Sequence, residues 1–319
     1  SMAEDTTTMT SVESPHLLPA LEQARRIRAG TLSPVTLAEH CLEQIAATDQ
    51  VLHAWIQVEP EQVLEQARQA EKELAAGYDR GPLHGLTFGV KDQVHATGFR
   101  TSMATRVLDP EEMEPGEEAT AITRLRSAGA ILIGKQNLHE FGKGGTIDFA
   151  YGQPRNPWNP ERTPSGSSSG SGIATIAGHC SFSIGEDTGG SVRGPASCNG
   201  VVGLRPTHGL VSRHGCVMHA YTSDTLGPLA RTVADVAAIL QVFAGHDPRD
   251  PISLRQPVPD YSATLDNGVR GMRLAVVREM ADGAHVDPQV REAFEAALDV
   301  LRSAGARIET ISLPLARWA

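Results

Sequence analysis

Cysteine-pairing motifs are missing from this chain: Cys41, Cys180, Cys198 and Cys216 are scattered, and no two form a CxxC spacing. That disfavours a disulfide framework and a zinc site alike, and it fits a reducing cytoplasm. Also missing is any uninterrupted apolar run near the ~18 residues of a spanning helix, so no membrane span is expected. Residues 1–15 hold no Lys or Arg and no apolar core. They lack the layout of a signal peptide and read as a flexible polar tail. Positive charge is scarce, with 28 Lys and Arg against 38 Asp and Glu and a formal net charge of −10. A broad nucleic-acid-binding face needs the opposite balance, so direct nucleic-acid binding is not expected. The most acidic stretch, DPEEMEPGEE at 109–118, carries two prolines and a glycine and reads as a solvated loop.

What remains is a chain of 319 residues, long enough to bury one substantial core. Apolar residues at helical spacing run through Leu17, Leu18, Leu21, Ala24 and Ile27, with Gly30 placed to end that helix. Ser33 and Pro34 occupy the N-cap and first-turn positions of a second helix, whose buried stripe is Leu37, Cys41, Leu42 and Ile45. Pro60 opens a third, to about Ala76. From Gly81 the pattern changes. The runs LTFGV at 86–90, AILIG at 130–134, SFSIG at 181–185, MRLAVV at 272–277 and 307–311 are strand-like, and helices are expected at 118–128, 170–178, 231–243 and 287–304. Such alternation predicts an α/β fold with a mostly parallel or mixed sheet. Residues 16–319 are expected to form a single domain, with peripheral helices over 16–80 and the core over 81–319.

Two glycine-flanked serine segments stand out. One is SGSSSGSG at 165–172; the other is Ser191 in the run GEDTGGSVRGPAS at 185–197. Glycine permits sharp bends and close backbone approach, which an attacking hydroxyl and its oxyanion donors need. An ordinary glycine-rich turn reads the same way at Ser191. The first loop also allows a flexible linker or a phosphate-cradling turn, but it runs from the Pro-rich NPWNPERTP at 156–164 straight into a helix, and GK[ST] does not follow its glycines.

A serine nucleophile needs a base. Twelve histidines are available, yet none sits in a recognisable catalytic motif, and GxSxG is missing around Ser191. Lys91 is the alternative. It follows an apolar strand in GPLHGLTFGVKDQ at 81–93, at the end of a strand where α/β proteins place functional groups. A lysine there is commonly a solvated surface residue; to act as a base it must be buried where the ammonium form is disfavoured.

GPLHGLTFGVKD, the loop at 165–172 and GEDTGGSVRGPASCNGVVGLRPTHGLVSRHG at 185–215 occur in an order and at separations that resemble the amidase signature family. NPWNP at 156–160 and DTLGPLART at 224–232 share the resemblance, which extends from about Leu17 to the end of the chain. It implies an α/β/α sandwich with a mostly mixed central sheet and a Ser-cisSer-Lys triad: Ser191 as nucleophile, Ser167 as a bridging serine after a cis peptide, and Lys91 as ultimate base. It further implies an oxyanion hole from the backbone amides of Thr188, Gly189, Gly190 and Ser191, with Asp187 and Arg193 bracing the loop and Ser168 supporting the polar network. The activity implied is hydrolysis of a small-molecule carboxylic amide through an acyl-enzyme, with no metal or organic cofactor; homo-oligomerisation is left open.

Two departures qualify this. SGSSSGSG stands where the family usually has GGSSGGSA, so Ser165 and Ser169 replace glycines and Gly172 an alanine. Family members also generally continue well beyond the equivalent of Trp318, which makes the chain a fragment, a shortened relative or one piece of a split enzyme. Alternatives to a free-standing amidase are the glutamine-hydrolysing subunit of a tRNA-dependent amidotransferase and a non-catalytic amide-binding relative or inactive fragment.

Overall fold

The computed structural model describes residues 14–108, 116–281 and 286–318. Nearly all of the polar tail and most of the acidic stretch at 109–118 lie outside the described residues. The chain forms two compact units, Ser1–Ser262 and Ala263–Ala319.

In the first unit, helices α1 (Ala20–Arg28), α2 (Pro34–Leu52) and α3 (Pro60–Ala75) form where the apolar spacing places them. Ser33 caps α2, its side chain accepting from the N–H groups of Val35 and Thr36. The turn after α1 uses Gly30 at φ 70°. Strand β1 (Trp55–Val58) is inserted between α2 and α3, then follow β2 (Thr87–Lys91), α4 (Thr120–Ser127), β3 (Ile131–Gln136), α5 (Ser169–Ile176), β4 (Phe182–Asp187), α6 (Arg193–Asn199), β5 (Val202–Gly203), β6 (Thr225–Ala230) and α7 (Val233–Phe243). The sheet order is β1-β3-β2-β4-β6-β5. Strands β3, β2 and β4 run parallel, while β1, β6 and β5 add antiparallel neighbours, so the sheet is mixed.

Every residue of β2, β3, β4 and β6 is buried. Strands covered on both faces carry near-continuous apolar runs, which is why β2, β3 and β4 are visible in the sequence. Phe88 and Phe182 occupy paired positions on β2 and β4, and their rings stack with centroids 5.4 Å apart. Helix α5 packs on β2, β3, β4 and β6, while α7 lies on β6 and α3 on β3.

Several elements do not follow from the sequence pattern, among them β6, α6 and β1. Strand β6 contains Gly227 and Pro228, residues that disfavour a central strand. It forms because its partner β5 spans only two residues, and because the Leu204 N–H bonds the Pro228 carbonyl at 3.1 Å. Helix α6 begins RGP, poor helix-forming material, but Pro is tolerated in the first turn and Asp187 accepts the N–H groups of Val192 and Arg193. β1 has only four residues and an irregular register.

The second unit pairs β7 (Arg273–Val277) in parallel with β8 (Arg307–Ile311) through α8 (Arg278–Ala281) and α9 (Pro288–Ser303). Asp287 caps α9, its carboxylate accepting the Gln289 N–H.

Candidate active site

Parallel strands open their carboxyl ends on the same side of a sheet, and functional groups collect there. Lys91 is the last residue of β2 and Glu186 the penultimate residue of its neighbour β4. Both side chains are withdrawn from solvent, at 0% and 1% exposure. Lys91 Nζ lies 2.7 Å from Ser167 Oγ, 3.0 Å from Glu186 Oε2 and 3.1 Å from the Glu186 carbonyl.

Ser167 is delivered by the loop that precedes α5, and the Gly166–Ser167 peptide is cis. Its carbonyl accepts the His139 N–H at 3.0 Å. Ser168 fastens the same loop to β4: its Oγ donates to the Glu186 carbonyl at 3.0 Å and accepts the Glu186 N–H at 3.2 Å. Its own N–H reaches the Ser191 carbonyl at 3.2 Å, which ties the two serine segments together through the backbone. Glycine is required at two positions of this loop. A Cβ at Gly166 would strike the His139 ring, and one at Gly170 the Ala54 carbonyl oxygen. Ser165 adopts φ 63°, the left-handed region that favours glycine, although the chain carries a serine there.

The second segment turns at Thr188, Gly189, Gly190 and Ser191. Asp187, fully buried, organises it by accepting the N–H groups of Gly190 at 2.6 Å, Val192 at 3.1 Å and Arg193 at 3.3 Å. The Arg193 guanidinium meets both carboxylate oxygens at 3.0 Å. Arg205 approaches from another side at 3.4 Å. Burial pushes the Asp187 carboxyl upward, but Arg193 and the three backbone donors outweigh it and bring the pKa from 3.8 down to about 2.

This arrangement separates the four amides expected to form an oxyanion hole. Gly190 has its N–H committed to Asp187, because the capping carboxylate sits directly beneath it. The N–H groups of Thr188, Gly189 and Ser191 donate to no acceptor among the described residues. Gly189 is exposed while Thr188 and Ser191 are half-buried, so the free donors lie at the rim and Lys91 and Ser167 beneath it. Ser191 Oγ makes no hydrogen bond to Ser167 or to any other described residue. Nucleophile–base contacts are often open before a substrate is bound.

Its lowered folded-state pKa makes Asp187 a source of pH-dependent stability. With a folded pKa of about 2 against 3.8 unfolded, the contribution is complete above about pH 4 and is lost as pH falls through about 2. Its size is about 2 kcal/mol. Asp187→Asn is expected to lower the unfolding free energy in urea by about that amount at neutral pH, with the difference from wild type narrowing below about pH 4. A gap independent of pH would contradict this account.

Sequence reasoning assigns no role to Glu186 or Asp224. Glu186 stands in an otherwise small-residue motif at the carboxyl end of a strand, and that position is a usable signal. Asp224 immediately precedes β6, whose Thr225 pairs with Asp187 across the sheet. Asp92, beside Lys91 in sequence, turns to a different lysine: Lys135 Nζ lies 2.9 Å from Asp92 Oδ1, both fully buried. Burial lowers the Lys135 pKa and Asp92 opposes that shift. A groove of about 1090 Å³ beside α3, lined in part by Glu61, Arg68 and Glu73, contains none of the serine-loop residues.

The Amidase family profile matches residues 36–317. The glutamyl-tRNA(Gln) amidotransferase A subunit of Synechococcus sp. (strain RCC307) is 44% identical over 290 residues, covering 90% of this chain and 59% of that protein. The native peptide amidase from Stenotrophomonas maltophilia superposes with a TM-score of 0.85 at 38% identity, over 93% of this chain and 62% of the other. The glutamyl-tRNA(Gln) amidotransferase A subunit from Thermotoga maritima gives a TM-score of 0.82 at 34% identity, over 95% of this chain and 63% of that one. The chain thus spans about three-fifths of the length of these relatives, with its mixed sheet and both serine segments inside the matched region. It belongs to the amidase signature family.

Proposed function

We propose that this chain carries the acyl-transfer centre of a serine-nucleophile amidase, acting on a small-molecule carboxylic amide. The observation that supports it most directly is the buried 2.7 Å contact between Lys91 Nζ and Ser167 Oγ, in a loop bonded to the Ser191 backbone. In this reading neutral Lys91 accepts a proton from Ser167, which takes one from Ser191 as Ser191 Oγ attacks the amide carbon. The tetrahedral oxyanion is held by the N–H groups of Thr188, Gly189 and Ser191. The proton returns to the leaving amine as the C–N bond breaks, and water or another nucleophile then releases the acyl group. Asp187 and Arg193 keep the loop in register, and Ser168 holds the Ser167 loop against β4. No step requires a metal or an organic cofactor, and four free thiols fit a cytoplasmic location.

The reading is tested by incubating the protein with a fluorophosphonate and mapping the adduct by mass spectrometry. A single adduct on Ser191 is the expected result; an adduct elsewhere with Ser191 unmodified rejects the assignment.

A second reading, the glutamine-hydrolysing subunit of a tRNA-dependent amidotransferase, is favoured by the name shared by curated relatives at 41–44% identity, all of them A subunits of glutamyl-tRNA(Gln) amidotransferases. Ammonia release from glutamine that depends on partner subunits and charged tRNA supports it. Hydrolysis of simple amides by the chain alone counts against it.

A further inference from the structure

Behind Lys91, on the side away from Ser167, lies a buried chain of polar atoms that the triad does not use. Glu186 Oε2 faces Lys91 Nζ at 3.0 Å, and Glu186 Oε1 lies 3.0 Å from Thr188 Oγ1. Thr188 Oγ1 is in turn 2.6 Å from Asp224 Oδ1. Asp224 Oδ2 accepts the N–H groups of His219 at 2.6 Å and Ala220 at 2.7 Å. Glu186 and Asp224 are 1% and 0% exposed, so water does not serve these oxygens freely.

Counting protons decides how such a chain is occupied. A threonine hydroxyl carries one hydrogen and an ionised carboxylate carries none. For each of these two contacts to be a hydrogen bond of its own, Thr188 donates to one carboxyl neighbour and accepts from the other. Asp224 is the better carboxylate, since its second oxygen already receives two backbone donors. Glu186 is then the acid, donating Oε1–H to Thr188 Oγ1. The three contacts of Lys91 Nζ fit an ammonium donating to all three oxygens and equally a neutral amine, whose two N–H bonds go to the Glu186 carbonyl and Oε2 while its lone pair accepts the Ser167 hydroxyl hydrogen.

We propose that Glu186 is a positioning residue that holds a proton in the resting protein, sharing it with Asp224 through Thr188, so that Lys91 faces a neutral acid and stands ready as a base. The proposal rests on the assignment of Lys91 as the ultimate base. When Lys91 gains a proton through Ser167, Oε1–H moves to Thr188 Oγ1 while the Thr188 hydrogen moves to Asp224 Oδ1. This leaves a glutamate beside the new ammonium and a neutral Asp224, with no proton gained or lost by the chain. The charge on Lys91 is thereby met only when it forms, which is where stabilisation lowers a barrier.

Among the described residues, the other titratable and charged groups facing this chain are few. His139 lies beside Lys91, Cys216 beside Glu186 with its thiol pushed up to about 12 by burial, and His208 and Arg205 flank Asp224 and Asp187.

Infrared spectroscopy of the wild-type protein at neutral pH reads the proton directly. A protonated-carboxyl C=O band that shifts when glutamate, but not aspartate, carries a ¹³C carboxyl label is expected, and it is lost in Glu186→Gln. Absence of a glutamate-derived band in wild type overturns the proposal, as does its persistence in folded Glu186→Gln. The isotope result needs no variant, so it stands if Glu186→Gln does not fold. Fluorophosphonate labelling separates the two layers of inference. Wild-type labelling rates in Lys91→Met would remove the base assignment whatever the spectrum shows, whereas a missing band with labelling dependent on Lys91 removes only the role of Glu186.

Discussion

Replacement of Ser191 by alanine is expected to abolish covalent labelling by a fluorophosphonate while leaving the fold in place. In the proposed mechanism Ser191 Oγ is the atom that forms the covalent bond, so nothing else in the loop can substitute for it. The same atom makes no hydrogen bond among the described residues, and its residue is half-buried. Deleting it should therefore change the unfolding free energy by no more than about 0.5 kcal/mol. Ser167 carries the hydroxyl bonded to Lys91, and it is 1% exposed. Labelling of Ser167 in the variant at the wild-type rate would reverse the roles of the two serines. Mass mapping of the adduct and a urea titration together check both halves of this expectation.

Removal of Lys91 is expected to have the next largest effect, and it acts on reactivity and stability alike. Lys91→Met keeps most of the side-chain volume but withdraws the amino group from Ser167 Oγ and from both Glu186 acceptors. General-base contributions of this kind are worth about 10²–10⁴-fold, so Ser191 acylation should slow by that factor. Buried acceptors left without donors cost about 1–3 kcal/mol each, and partial rearrangement of Glu186 should hold the total to about 2–4 kcal/mol. Labelling must accordingly be measured below the melting temperature of the variant, with its folded fraction checked by circular dichroism. Lys91→Arg supplies the control: a guanidinium carries a fixed positive charge and cannot accept a proton, so it should be as slow as Lys91→Met. Wild-type labelling in Lys91→Arg would show that charge, not proton acceptance, is what the position provides.

The contrast between Asp92 and Glu186 shows how far a sequence can be read at this site. Asp92 adjoins Lys91 in the chain, yet β2 ends at Lys91 and the turn that follows carries Asp92 to Lys135 instead. Glu186 is 95 residues from Lys91 and Ser167 is 76, and each becomes a neighbour only through the parallel β2–β4 pairing and the seating of α5. The motifs around Lys91, Ser167 and Ser191 are recognisable because special glycines leave a dense local signature. The contacts that join Glu186, Thr188 and Asp224 leave none, since their significance lies in the distances among them.

By itself the sequence determined the alternation of helices and strands, the turns at its glycines, and the identity of the three residues proposed for the chemistry. The elements and turns depend on local periodicity, capping and backbone freedom, which act over a few residues at a time, whereas the roles of the three residues are what the resemblance to the amidase signature family implies. Tertiary structure alone decided that β6 forms despite Gly227 and Pro228, that the Gly190 amide belongs to Asp187, and that Lys91 is backed by Glu186. In each of these cases the deciding term is the pairing of a polar group; for β6 and Lys91 the partner comes from segments far away in the chain that packing brings within about 3 Å, while Asp187 lies only three residues from Gly190 and reaches it through the shape of the turn.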